Sequence, residues 1–269
     1  MSAAPTALLT NKTAIVTGGT RGIGAGISRE LASRGANVAM ILTNTATAEA
    51  AEQYAAEIAT LGGGVKAVAI QVDLGDLDGP ALVVEETLKR LDVTKIDIIV
   101  NNAAAFDTNP TAHITNEGFE AVMKVNIRAP ALLVKAALPH IPRGGSIINI
   151  ATMGTRMMNN IPMMPTMPLY NASKAALECL SHVWAAEFGH SHGITSNSVS
   201  VGLVETDGFT QLPEEHKQLI QAELAKRTAA GPRSGTPDDI AQIVAFLASD
   251  ESRWVTGSTL SANGGVVTF

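Results

Sequence analysis

"TAIVTGGTRGIGAGISRELA", Thr13 to Ala32, decides how this chain is read. Thr13–Thr17 is a short run with strand character. It leads straight into "GGTRGIG", with Gly18, Gly22 and Gly24, and then into a helix-like pattern over Ile23–Arg34. Glycines let a backbone turn sharply and approach a ligand with no Cβ in the way. The helix N-terminus that follows offers unpaired N–H groups and partial positive charge, which suits a pyrophosphate. Strand, glycine turn and helix in that order meet the structural test for a dinucleotide site, with Thr20, Arg21 and Ile23 completing the turn.

Outward from this unit, strand-like runs recur at Val38–Leu42, Val65–Val72, Ile96–Val100, Ser146–Ile150, Thr195–Val199 and Ser258–Ser261. Helix-like stretches separate them, at Thr47–Leu61, Pro80–Leu91, Phe119–Leu138, Asn171–Phe188 and Pro237–Ala248, the last with Thr236 as N-cap. This alternation predicts βαβ units. The fold class is α/β, one doubly wound parallel sheet with helices on both faces. The expected domain spans residues 11–269 after a flexible segment 1–10. An irregular excursion over about 203–235 is read as a substrate lid.

A chain of 269 residues, 46% hydrophobic and 16% charged, can bury a large core. Its net charge of −6 argues against nucleic acid or an anionic membrane surface as partner. No apolar run is long enough to span a membrane, and "MSAAPTALLTNK" lacks the features of a secretory signal. The one cysteine, Cys179, cannot pair internally; it reads as a small buried side chain in a reducing compartment, so a cytoplasmic location is expected. His190 and His192 form an H-x-H without an evident third ligand, and no metal is expected.

The second strand ends "ILTNTAT", with Thr43, Asn44 and Thr45 where an NAD site usually carries an acid for the ribose 2′-hydroxyl. Neutral donors can solvate a 2′-phosphate that a carboxylate would repel, and Arg21 can supply the compensating charge. The expected cofactor is NADP(H).

Tyr170 and Lys174 are four apart, so on a helix they stand on one face. An ammonium about 5 Å away favours a phenolate by roughly 3 kcal/mol at an effective dielectric of about 20. That would lower the tyrosine by roughly two pKa units. Such a tyrosine can protonate a carbonyl oxygen as hydride arrives.

The order of the glycine turn, "NNAA" at Asn101–Ala104 and "YNASK" at Tyr170–Lys174 resembles the classical short-chain dehydrogenase/reductase family over nearly the whole chain. The resemblance implies a single Rossmann-type domain, a nicotinamide cofactor and a homotetramer or homodimer. It makes Tyr170 the general acid-base, and Lys174 its activator and a ligand of the nicotinamide ribose. It makes Asn126 of "KVNIRAP" the residue that holds a water for proton relay. By the same resemblance Asp73 contacts adenine, Asn101 and Ala103 flank the adenine ribose, Thr206 binds the carboxamide and Val204 offers backbone contacts.

Three departures stand out. Thr152 occupies the place of the family's catalytic serine, with Thr155 the weaker stand-in. Val201 replaces the proline of a "PG" turn, which loosens the turn without removing a ligand. Thr152 and Tyr170 lie 18 positions apart, several more than is usual in the family. The extra residues fall in a stretch holding six of the chain's nine methionines, between 153 and 167. Methionine is flexible and polarizable, so Met153, Met163 and Met164 are read as an adaptable wall against a bulky, largely apolar or aromatic substrate; a packed plug or a subunit contact would use the same residues. The leading expectation is an NADPH-dependent ketone reductase of secondary metabolism. Reduction of a cyclic imine or iminium, or a cofactor-binding sensor with little turnover, are the alternatives.

Overall fold

The computed structural model describes residues 8–44, 47–157, 166–206, 209 and 213–268. Seven strands form one sheet in the order β3-β2-β1-β4-β5-β6-β7. They are β1 (Thr13–Thr17), β2 (Asn37–Leu42), β3 (Ala67–Gln71), β4 (Ile98–Asn101), β5 (Ser146–Thr152), β6 (Thr195–Val201) and β7 (Thr259–Ala262). Every pairing is parallel. The strand order reverses between β1 and β4, so a crevice opens at their carboxyl ends, where ligands bind in such sheets.

The central strands β1, β2 and β4 are largely apolar on both faces because helices cover both. Ala14 and Val16 of β1, Val38 and Met40 of β2, and Ile98 and Val100 of β4 face one core. There they meet α1 (Gly22–Ser33) through Ile27 and Leu31, α2 (Ala48–Ile58) through Ile58, and a C-terminal helix (Pro237–Leu247) through Ile240 and Val244. The alternate residues Ile15, Ala39, Ile41 and Ile99 turn to the second core. That core is closed by α3 (Gly79–Leu91), a helix over Ala129–Ala137 and a long helix over Pro168–His192, through Val83, Leu133, Trp184 and Phe188. The alternation is the period-two pleat of a strand.

Several expectations shift in detail. The single helix expected over Phe119–Leu138 is α4 (Asn116–Met123), a π-helical turn (Lys124–Arg128) and α5 (Ala129–Ala137) in succession. The long helix α6 (Pro168–His192) begins at a proline, because proline lacks only an N–H that the first turn would leave unpaired. A charged helix, α7 (Glu214–Ala225), lies within the 203–235 excursion, and α8 (Pro237–Leu247) follows it. Thr236 caps α8 as expected, in a capping box with Asp239.

Residues 1–7 lie outside the described residues, but Leu9 is fully buried in the first core, so the body starts before the expected boundary at 11. Cys179 is exposed rather than buried, since it falls on the outward side of α6. Val266 and Val267 of the tail pack on the chain's own apolar cluster of Met153, Phe209, Ile220 and Leu224. Among the described residues no helix is long and apolar enough to cross a membrane.

Candidate active site

The glycine turn leaves β1 into the crevice. Gly18 and Gly22 have φ of +63° and +53°, a region where a side chain is strained. A Cβ on Gly24 would collide with the Gly18 carbonyl, so the turn and α1 are pressed together. Arg21 is the N-cap of α1 but makes no side-chain cap, and the first turn holds no acid. Its N–H groups and positive dipole therefore face the crevice, as a pyrophosphate requires. Thr17 Oγ1 accepts from the N–H groups of Asn102 and Ala103 at 2.9 and 3.0 Å, and Asn102 Nδ2 donates to the Thr17 carbonyl at 2.8 Å. These bonds bind the end of β4 to the start of the turn. Asn102 was not singled out in sequence; the "NNAA" motif that contains it was the available signal.

Across the turn, a Cβ on Gly22 would lie 3.3 Å from Thr206 Cγ2, so residues 184 positions apart close one crevice. Val204 is buried and bridges to Gly235, which clips the two ends of the 203–235 excursion together. Thr20 and Ile23 are half-buried; Arg21, Thr43, Asn44 and Asp73 are exposed around the crevice. Asp73 Oδ1 accepts from Gly75 N–H at 2.7 Å. Asn101 is buried, with its amide directed to Asn149 Oδ1 on β5 at 2.8 Å, so its side chain stitches the sheet rather than facing a ribose. Thr45 lies outside the described residues.

Tyr170 and Lys174 stand one turn apart on α6, with Lys174 Nζ 5.8 Å from the Tyr170 ring centre. Lys174 is 1% exposed and donates to the Ile150 carbonyl at 2.7 Å. Burial pushes Tyr170 up to about 12 and Lys174 down to about 8. The expected depression of the tyrosine is thus reversed, because removing both side chains from water disfavours both charged forms. Tyr170 is held as a proton donor through neutral pH.

Thr152 ends β5, and its Oγ1 accepts from Gly154 N–H at 3.2 Å. A Cβ on Gly154 would strike Asn171, so this turn packs directly on the residue after Tyr170. Thr155 instead bonds Glu178 Oε1 at 3.2 Å and the Thr152 carbonyl at 3.1 Å, so its hydroxyl is engaged with the chain itself. Glu178 is itself buried and paired with Arg156 at 3.2 Å.

Asn126 is fully buried in the π-helical turn. Its Oδ1 accepts from Ala105 N–H at 2.8 Å, while Nδ2 donates to the Ala105 carbonyl at 3.0 Å and to Ser173 Oγ at 2.9 Å. The amide is therefore bonded to the chain itself. The next residue, Phe106, stacks on Tyr170 with ring centres 4.6 Å apart and planes 21° apart. Nothing in the sequence marked Phe106.

Met153 does not present a free wall. It is 4% exposed and packs with Phe209, Ile220 and Leu224, joining β5 to the excursion that contains α7. Met163 and Met164 lie outside the described residues. A cavity of about 270 Å³ under α7, lined by Leu203, Leu224, Ile243 and Ala262 among others, includes none of the residues around Tyr170. The donor chemistry, not this hollow, marks the site. Among the described residues no group of three or more His, Cys, Asp or Glu side chains could hold a metal.

The family model described as enoyl-(acyl carrier protein) reductase matches residues 18–267. The short-chain dehydrogenase/reductase FrzI of Cladobotryum sp is 44% identical over 266 residues, 98% of this chain and 99% of that protein. The chain belongs to the short-chain dehydrogenase/reductase family. It is an oxidoreductase of that family. A blue fluorescent protein from a metagenomic library, solved in complex with NADPH, is 35% identical with a TM-score of 0.86, covering 97% of this chain and all of that one. The angucycline C-6 ketoreductase LanV, solved with bound NADP, is 35% identical with a TM-score of 0.84, covering 96% of each chain.

Proposed function

We propose that this protein is an NADP(H)-dependent reductase that acts on the ketone carbonyl of a bulky, largely apolar or aromatic molecule. The observation that carries the reading is Tyr170, protonated through neutral pH, with the buried Lys174 Nζ 5.8 Å from its ring centre. NADPH, when bound, supplies the hydride that reaches the carbonyl carbon.

The chain's own residues do the rest. Tyr170 O–H donates its proton to the carbonyl oxygen, and the Lys174 ammonium stabilises the phenolate left behind. Thr152 Oγ1 donates a hydrogen bond to the same oxygen as negative charge builds on it. The π-helical turn takes backbone carbonyls out of the ordinary helical ladder. That favours the main chain of residue 126, not its engaged amide, as the holder of a water beside Lys174.

For the cofactor, Gly18, Thr20, Arg21, Gly22, Ile23 and Gly24 would hold the pyrophosphate. Arg21, Thr43 and Asn44 would meet the 2′-phosphate, with Asp73 and Ala103 at the adenosine, and Val204 and Thr206 at the carboxamide. The absence of any acid at 43 and 44 favours NADP(H), and two solved relatives bind NADPH or NADP. The 203–235 excursion acts as the lid. A homodimer or homotetramer is the expected assembly.

The test is NADPH oxidation with a panel of bicyclic aromatic and alicyclic ketones, alongside NADH and Tyr170→Phe. NADPH-preferring turnover that collapses in Tyr170→Phe supports the reading. Retention of most turnover in that variant would show that Tyr170 is not the acid.

A further inference from the structure

We infer that Phe106 is a positioning residue for the proton donor, a cap that keeps water off one face of the Tyr170 ring. Behind such a cap the proton leaves for a bound molecule rather than for solvent. This rests on the reductase reading above, in which Tyr170 is the acid, and adds what guards that acid.

The two rings differ in exposure. Phe106 is 64% exposed, whereas Tyr170, with its ring centre 4.6 Å away, is 9% exposed. With planes 21° apart, the phenylalanine covers a face of the tyrosine rather than an edge. Apolar cover disfavours the charged form of the group beneath it. Burial is what holds Tyr170 up at about 12. A developing alkoxide is a stronger base than a phenolate and can still take this proton, whereas water is too weak a base to do so.

The cap is fixed through both of its neighbours. Asn126 bonds the Ala105 N–H and carbonyl, and its amide also donates to Ser173 Oγ. Ser173 Oγ in turn donates to the Tyr170 carbonyl at 2.7 Å, so one buried amide registers the loop against the helix turn that carries the tyrosine. On the other side Asp107 is buried, and its Oδ1 accepts from Asn109 N–H at 2.7 Å. A Cβ on Gly118 of α4 would strike Asp107 Oδ2, so the loop is pressed against that helix as well.

Charges on the elements around α6 are engaged elsewhere. Those elements are β5, β6, α4, the π-helical turn and the turn after β5. Strands β5 and β6 carry no charged side chain. Glu117 and Glu120 of α4 lie in solvent, Arg128 donates to the Gly75 carbonyl, and Lys124 lies against Gly75. Arg156 pairs with Glu178. Lys174 is the charged group beside the tyrosine.

The experiment reads the proton directly. The chain holds two tyrosines, Tyr54 and Tyr170, so in a Tyr54→Phe parent the ultraviolet absorbance of tyrosinate reports Tyr170 alone. The parent, and the parent with Phe106→Ala or Phe106→Leu, are jumped from neutral to a series of alkaline pH values. Absorbance is read within milliseconds, before alkaline unfolding. Phe106→Ala should titrate about one unit below the parent, toward the ordinary 10, as water reaches the uncovered face. Phe106→Leu keeps apolar cover and should give back most of that shift. A shift under about 0.3 unit in Phe106→Ala, or an equal shift in Phe106→Leu, would overturn the inference. Absorbance needs no substrate, so the full shift in a protein that reduces no ketone would support the cap while refuting the reductase reading.

Discussion

Asn126 and Ala105 close a two-bond ring, Oδ1 accepting at 2.8 Å and Nδ2 donating at 3.0 Å, with Asn126 fully buried and Ala105 half-buried. A helix-borne amide therefore sets the backbone of the loop that runs over Tyr170. Replacing it by Ala leaves the Ala105 N–H and carbonyl without their buried partner. Asn126→Ala should lose about 1–3 kcal/mol of stability, the cost of about one buried orphan, because the half-buried Ala105 groups can partly recover water while the buried Ser173 hydroxyl loses its partner. Urea unfolding measures the loss; a change under about 0.5 kcal/mol would mean that water replaces the amide.

Thr152→Ala should lower kcat by one to two orders of magnitude, the scale of losing one hydrogen bond to a developing oxyanion. Thr155→Val should affect unfolding more than turnover, because Thr155 serves the buried Glu178 carboxylate. Steady-state kinetics on both variants separates the roles. The reverse ordering of the two kcat values would hand the hydroxyl function to Thr155.

Lys174 sits near 8 when folded, against an ordinary 10.5. Below about pH 8 the folded protein carries a buried charge. Between 8 and 10.5 the unfolded chain holds the proton that the folded chain releases, so this group's contribution to stability rises with pH across that window. At about 1.4 kcal/mol per unit, wild type should gain about 3 kcal/mol on Lys174→Met between pH 7 and pH 11. Denaturation midpoints of both proteins across that range test it, and parallel curves would contradict the assignment.

The same lysine shapes activity. Its charge, present below about pH 8, stabilises the phenolate formed when Tyr170 gives up its proton. Ketone reduction should therefore fall as pH rises through about 8, and Lys174→Met should show a low rate without that limb. A wild-type profile flat from pH 6 to 10 would remove Lys174 from the chemistry.

Thr43→Asp would set a carboxylate where a 2′-phosphate is expected. It should raise the KM for NADPH at least about tenfold and lower that for NADH, as repulsion replaces solvation and an acid meets the 2′-hydroxyl. Arg21→Ala should weaken NADPH alone. Equal effects on both cofactors would place the 2′-phosphate elsewhere.

Much of this architecture was legible along the chain. Runs such as "TAIVT" and "SIINIAT", spaced by helical patterns, are what a sheet buried on both faces requires. Gly18, Gly22 and Gly24 announced the turn because few residues other than glycine tolerate its dihedrals and close contacts. Tyr170 and Lys174 were found through helical spacing, which is local. Whether Met153 lines a pocket or forms a packed plug stayed open in the sequence, because composition shows that a side chain is adaptable but not what it packs against. The tyrosine's acidity was misjudged for a related reason: charge proximity is visible in spacing, whereas desolvation depends on everything around the pair.

The sequence by itself determined the strand and helix alternation, the glycine turn after the first strand and the placing of Tyr170 and Lys174 on one helix face, all of which depend on residues within a few turns of one another. Only the tertiary structure decided that Thr206 would face Gly22, that Asn126 would grip Ala105, and that Phe106 would lie on Tyr170. Those contacts join residues 184, 21 and 64 positions apart. No local pattern encodes them, because strand order and helix packing, rather than residue identity alone, bring such groups within reach.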